Sequence, residues 1–360
     1  MKSTVIQNGL PGKVLFGIGA VQDLPNCLPG ERVFLISERG LCETEPFRDT
    51  AALFPNAQVY LLSGGEPRVS DAQRALDAAR RARISGIVGL GGGSVLDVAK
   101  TVAVLLGSDC TVDGAFNRND LHRGAPLALI PTTAGTGSEV TPNCLLIDDL
   151  TGAKRALISQ ACIPDFAVLD ANMTKTLPVS IAASTGVDAL CHCVESLISV
   201  KANEFSKAWS LAGIRLVQKW LPIAVHSPDC AQARQMMLSA SFFGGAALSI
   251  AGTTAVHALA YSLGARGVPH GVANSILFAS VMQNTLPDPE KYIPDFSGLC
   301  SLIEGLPIPD LRRYSDARFD AAQMAQEAML QTRLLNNHPY PVDPSVAQRI
   351  FEAVLSQRER

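Results

Sequence analysis

Charged and aromatic residues are scarce in this chain. Across 360 residues, Asp, Glu, Lys and Arg make up 18% and aromatics 6%, with only two Trp. The net charge is −3 and there is no basic run, which removes the electrostatic basis for binding nucleic acid or an anionic membrane surface. The opening MKSTVIQNGLPG carries one Lys and no apolar core, so it is not read as a secretory leader. Nine Cys lack regular spacing, which argues against a disulfide framework and suits reduced thiols in the cytoplasm. No internal repeat or low-complexity tract is present. From Gln235 to Ala265 there is no charged residue at all, a length that could span a bilayer. Its Gly, Ser and Thr content and the enclosed His257 point instead to a buried helix or helix pair.

What is plentiful is apolar sequence, 47% of the chain. At this length two cores are expected rather than one. In the first half, short β-rich runs at 14–16, 32–37, 59–62, 86–90, 127–131 and 166–170 alternate with helical patterns at 70–83 and 94–106. Each of these helices is expected to open on a capping Ser, Ser70 or Ser94. That alternation predicts a doubly wound, mostly parallel sheet. Runs at 144–147 and 156–159 around the turn Asp148–Gly152 read as a hairpin beside it. Beyond Pro178 only Ala/Leu-rich helical patterns appear, with 285–314 expected to be irregular. The fold class is thus an α/β dinucleotide-binding domain over 1–178 and an all-α domain over 179–360.

Two Gly-rich loops follow strands of the first half. Gly91-Gly92-Gly93-Ser94 runs from a strand into a helix, where small residues let the backbone approach a pyrophosphate and helix N–H groups favour an anion. Pro131-Thr132-Thr133-Ala134-Gly135-Thr136-Gly137 offers hydroxyls and amides at the carboxyl end of another strand, where such sheets bind ligands. Glu38, ending the second strand, suits a ribose diol and disfavours a 2′-phosphate, so NAD; Arg39 beside it argues for NADP.

The second half holds Asp188 and His192 at i and i+4, which share one helix face. His257 ends an apolar stretch, and Gly264, Gly267 and Pro269 break the helix so that the chain can return with His270. One carboxylate and three imidazoles suit a divalent transition metal with a position open to a substrate oxygen; both Fe(II) and Zn(II) accept this set. Cys191 and Cys193, at i±1 to His192, read as packing residues. Glu195 is either a group supporting the ligands or an ion-pair partner, and His122, His226 and His338 read as surface residues.

At GGGSVLDVAK, PTTAGTGSEVT, PDFAVLDANMTKTLP, STGVDALCHCVES, VHALAYSLGARGVPHGVANSILF and NNHPYPVDPSVAQRIFEAVL, the chain resembles the iron-dependent (group III) alcohol dehydrogenases over nearly its whole length. The resemblance implies a metal domain following a dinucleotide domain, with a cleft between them. Its metal ligands fall on Asp188, His192, His257 and His270. Its coenzyme contacts fall on Gly92, Gly93, Ser94, Asp97, Thr132, Thr133, Thr136, Thr141 and Lys154, with Asn143 near the substrate. It further implies hydride transfer between a nicotinamide and a small alcohol or aldehyde, and no nucleic-acid or membrane partner. Tyr261 stands where many members carry a proton-relaying His, and a phenol, with a reference pKa near 10, is a different shuttle. The chain also looks shorter than typical members between Asn284 and Asp316. Alternatives are a metal- and NAD-dependent cyclising synthase and a reductase of an anionic aldehyde, such as a phosphonate aldehyde, or of maleylacetate. A cytoplasmic homo-oligomer, with a dimer favoured, is the prior expectation.

Overall fold

The computed structural model describes residues 9–28, 32–314 and 319–356; the opening residues 1–8, read above for a leader, lie outside them. The chain divides into two compact units. One holds residues 9–133 and 137–177, the other 178–356 together with 134–136.

The first unit is built on eight strands: β1 (Lys13–Phe16), β2 (Val33–Glu38), β3 (Gln58–Leu62), β4 (Gly86–Gly91), β5 (Leu127–Pro131), β6 (Asn143–Ile147), β7 (Lys154–Ile158) and β8 (Phe166–Leu169). Six form a parallel sheet in the order β1-β8-β5-β4-β2-β3, and β6 and β7 pair as an antiparallel hairpin. The central strands are buried on both faces, hence their unbroken apolar runs, while edge strand β1 is mostly exposed. Alternation sorts the side chains. Phe34, Ile36, Ile87, Leu127 and Leu129 pack on one face with the helices Val69–Ala82 and Gly93–Leu105 and with Cys144, Leu146 and Leu157 of the hairpin. Val33, Leu35, Val88, Leu90, Ala128 and Ile130 fill the other face.

Those two helices start differently from the expectation. Val69–Ala82 is opened by Arg68, whose backbone N–H donates to Asp71 at 2.9 Å, and Ser70 lies in the first turn instead. Gly93–Leu105 begins after Gly92 with no side-chain cap, so Ser94 is not a cap either.

In the second unit no strand occurs among the described residues. The helices Val179–Ile198, Glu204–His226 and Ala231–Ala251 pack on one another, and Ala255–Gly264, His270–Thr285, Ala321–Met329 and Pro344–Ser356 build out the core. The uncharged stretch is a helix pair: Ala231–Ala251 and Ala255–Gly264 meet at 106°. The chain turns there through Gly252 at φ 70°, a left-handed conformation that glycine adopts without strain. Val179–Ile198 is long and apolar enough to cross a membrane, but 78% of its apolar window is buried among its neighbours, as in a core helix. Two expectations fail here. The 285–314 segment contains a nine-residue helix, Phe296–Glu304, which packs Phe296 and Leu299 inward. His338 is buried, because tertiary packing covers a ring whose sequence neighbours are polar.

Candidate metal centre

The helix Val179–Ile198 buries fourteen of its twenty residues, among them Asp188, His192 and Glu195. Asp188 and His192, one turn apart, project together. His257 enters from the second residue after the start of Ala255–Gly264, and His270 is the first residue of His270–Thr285. Asp188 Oδ1 lies 3.9 Å from His192 Nε2, 3.6 Å from His257 Nε2 and 3.6 Å from His270 Nε2. The ligand atoms of Asp188, His192 and His257 all fall within 4.8 Å of one another. Three of the four side chains are nearly sealed from solvent, whereas the His270 side chain is 32% exposed and leaves one approach.

Asp188, His192 and His257 form a group that could hold a metal ion, and His270 brings a third imidazole nitrogen to the same carboxylate oxygen. The charge balance agrees. Burial opposes ionisation of Asp188, yet His192, His270 and His257 hold its carboxyl well below the usual carboxylate range. Burial lowers the His192 pKa, favouring the neutral ring that a metal needs. At His257 burial also opposes charge, but Glu195 and Asp188 outweigh it and push the pKa up to about 9. A cation bound to that ring replaces a proton.

Two of the three imidazoles are oriented from behind. His192 Nδ1 lies 3.0 Å from the carbonyl of Gly135. Gly135 sits against the helix, where a Cβ would come 2.5 Å from the carbonyl oxygen of Thr185, so only glycine allows this approach. His257 Nδ1 is in contact with Glu195 Oε2. Glu195 is fully buried, and its Oε1 accepts from the Thr254 N–H (3.0 Å), the Thr254 hydroxyl (2.7 Å) and the Val256 N–H (2.8 Å). A carboxylate anchored in this way fixes the Nδ1–H and aims Nε2 at Asp188. Of the two sequence readings of Glu195, the supporting role is the one the geometry favours. Cys191 and Cys193 are fully buried, as expected of packing residues. Tyr261 is half-buried one turn beyond His257.

The sheet unit gathers the other predicted positions. The parallel register brings Glu38 level with Leu62, and Gly91 level with Pro131, so the loops after β2 to β5 emerge at one edge. Thr132 donates its N–H to the Gly91 carbonyl at 3.0 Å, which ties the two Gly-rich loops together. Burial raises the Glu38 pKa. Asp97 spends both oxygens internally: Oδ1 accepts from Ser138 Oγ (2.6 Å) and Oδ2 from the Leu145 N–H (2.8 Å). Lys100, fully buried, donates to Thr141 Oγ1 (3.2 Å) and the Asn143 carbonyl (2.7 Å), and lies 3.3 Å from Asp97 Oδ1. Lys154 pairs with Glu66. Sequence reasoning assigned nothing to Gly135, to Asn274 beside the ligands or to Glu139, a fully buried acid. Only the i+4 spacing of Asn274 from His270 carried a local signal.

Residues 11–171 match the family model described as iron-containing alcohol dehydrogenase, and 182–305 match the model of that family's C-terminal domain. The chain belongs to the iron-containing alcohol dehydrogenase family. It is 31% identical to the sulfoacetaldehyde reductase of Bilophila wadsworthia, over 95% of this chain and 97% of that one. It is 29% identical to the 1-propanol dehydrogenase PduQ of Citrobacter freundii, over 99% and 100%. A stronger local match, 40% over 61% of this chain, is to the probable alcohol dehydrogenase EutG of Salmonella typhimurium, and it spans only 56% of that relative. Among solved structures, a 1,3-propanediol oxidoreductase superposes with a TM-score of 0.89 at 27% identity, covering 98% of this chain and all of that one. An iron-containing alcohol dehydrogenase from Thermotoga maritima gives 0.86 at 28%, with the same coverage. The α/β-plus-helical fold class read from sequence is that of the family.

Proposed function

We propose that the protein is a metal-dependent, nicotinamide-linked alcohol dehydrogenase working in either direction between a small alcohol and its aldehyde or ketone. The observation that carries this reading is the carboxylate of Asp188 facing three imidazole nitrogens at 3.6–3.9 Å. Asp188, His192, His257 and His270 would hold the ion, Fe(II) by family and Zn(II) by equal chemical fit. When bound, the metal would supply Lewis acidity toward the alcohol or carbonyl oxygen, and a nicotinamide would supply or accept the hydride.

The chain's own residues do the rest. Glu195 and the Gly135 carbonyl hold two imidazoles in the tautomer and orientation needed. Gly92, Gly93 and Ser94 begin a helix with no side-chain cap, so its first N–H groups are free to meet a pyrophosphate. Thr132, Thr133 and Thr136 supply hydroxyls and amides from the neighbouring loop, and Lys154 lies beyond the hairpin turn. Glu38 at the end of β2 favours the ribose diol of NAD over the phosphate of NADP. Asp97 and Lys100 brace the segment carrying Thr141 and Asn143, which lines the substrate side. Tyr261, on the face of His257, carries the proton between substrate and solvent. The enzyme acts in the cytoplasm as a homo-oligomer, a dimer by prior. The named relatives act on propanol and sulfoacetaldehyde, so the substrate class spans short neutral and short anionic aldehydes.

The test is a panel of short aldehydes, neutral, phosphonate and sulfonate, assayed with NADH and with NADPH. The panel is repeated after chelation and after reconstitution with one metal at a time. Turnover lost on chelation and restored by one divalent metal is expected; turnover indifferent to chelation overturns the reading.

A further inference from the structure

Asn274 lies on the same face of its helix as His270, one turn on, and is completely buried. Its Nδ2 is 2.7 Å from Asp188 Oδ1, 3.2 Å from His270 Nε2 and 3.3 Å from His257 Nε2. Its Oδ1 is buried with no hydrogen-bond partner. The 2.7 Å contact to a carboxylate oxygen identifies the near atom as the nitrogen, since an oxygen there would face an anion unshielded. One amide nitrogen, with two N–H bonds, therefore sits against three of the four atoms expected to grip a cation. A carboxylate oxygen has lone pairs enough to serve an amide and a metal together. An imidazole nitrogen has one lone pair, in the ring plane, and serves either a donor or an ion.

The geometry points to Asn274 as a built-in placeholder of the metal centre. Its carboxamide donates to Asp188 Oδ1 and to His270 Nε2, and the His270 contact must be given up when an ion takes that nitrogen's lone pair. Held in this way, the ligands stay converged and the unloaded protein stays folded, but metal affinity is lower than the four ligands alone would give. The orphaned Oδ1 fits this role, because an amide turned for permanent service would have both ends satisfied. The inference rests on the four-ligand reading and specifies how that site is regulated.

The experiment compares parent, Asn274→Ala and Asn274→Ser by Zn(II) titration against a chromophoric chelator at one fixed pH. Thermal unfolding is followed on the same samples with and without Zn(II). Loss of one competing hydrogen bond of ordinary net strength corresponds to about a fivefold gain in affinity. Asn274→Ala is therefore expected to bind Zn(II) about fivefold tighter and to lose more stability without Zn(II) than with it, so that the Zn-induced shift in Tm widens. Asn274→Ser, which keeps a single donor, is expected to fall between alanine and parent. If Asn274→Ala folds only in the presence of Zn(II), that too supports the placeholder. Unchanged or weaker binding with a narrower Tm shift, in alanine or, should that variant not fold at all, in serine, overturns it and makes Asn274 a supporting group instead. Failure of the parent itself to bind Zn(II) strikes the ligand set, so the two readings fail separately.

Discussion

Replacing Glu195 by Gln changes one atom and should disarm a metal ligand it does not resemble. Glu195 is acceptor-only and surrounded by donors: the His257 Nδ1–H at one oxygen, and the Thr254 N–H, Thr254 hydroxyl and Val256 N–H at the other. Glutamine offers one oxygen and one NH2. If the oxygen serves Thr254 and Val256, the NH2 faces His257 Nδ1 and forces the ring proton onto Nε2, the nitrogen that points at Asp188. If the oxygen serves His257, the NH2 abuts two backbone N–H groups in a fully buried site. Loss of such an outer partner costs about 10–100-fold in metal affinity, roughly 1.4–2.8 kcal/mol. The assay is competitive titration of Zn(II) and Co(II), with the Co(II) absorption band reporting ligand geometry independently of turnover. Affinity within twofold of the parent and an unchanged Co(II) spectrum, in a folded variant, would refute the idea that Glu195 sets the His257 tautomer.

Three further outcomes follow from named contacts. Glu139 is fully buried with neither oxygen partnered, and burial pushes its pKa up to about 7. Its folded form therefore retains a proton that the unfolded chain has lost, and stability falls as pH rises from about 4.5 to about 7. Glu139→Gln should remove this slope, gaining on the parent by up to about 3 kcal/mol in denaturant unfolding between pH 4.5 and 8, and a pH-independent difference would count against it. Gly135→Ala drives a methyl to 2.5 Å from the Thr185 carbonyl oxygen. It should cost about 1–3 kcal/mol in unfolding free energy and weaken metal binding through His192, whereas a stability loss with unaltered metal affinity would uncouple the two. Tyr261→Phe should alter the pH–rate profile while leaving metal content intact; superimposable profiles would remove Tyr261 from proton transfer.

Much of the architecture could be read from the chain because its signals are local. Every strand of the sheet carries an apolar run, and Asp188 and His192 announce a shared face by their spacing. The helix starts at 69 and 93 were misassigned to Ser caps because Arg68 with Asp71, and a bare Gly92, open them instead. His338 shows the limit of composition, since polar neighbours in sequence do not reveal what packs over a ring in space. Gly135 was silent, and Asn274 offered only its i+4 spacing from His270, for a related reason. The first matters only because Thr185 and His192 come to meet it, and the second only because three ligands converge on its amide. Glu195 was half legible: seven residues from Asp188 put it on the right face, while its donors at Thr254 and Val256 belong to another helix.

The most direct measurement is anomalous diffraction at the zinc edge from crystals of the parent loaded with one equivalent of Zn(II). A single peak about 2.0–2.2 Å from Asp188 Oδ1 and from the Nε2 atoms of His192, His257 and His270 is predicted. A peak elsewhere, or one touching fewer than three of these four atoms, would contradict the account.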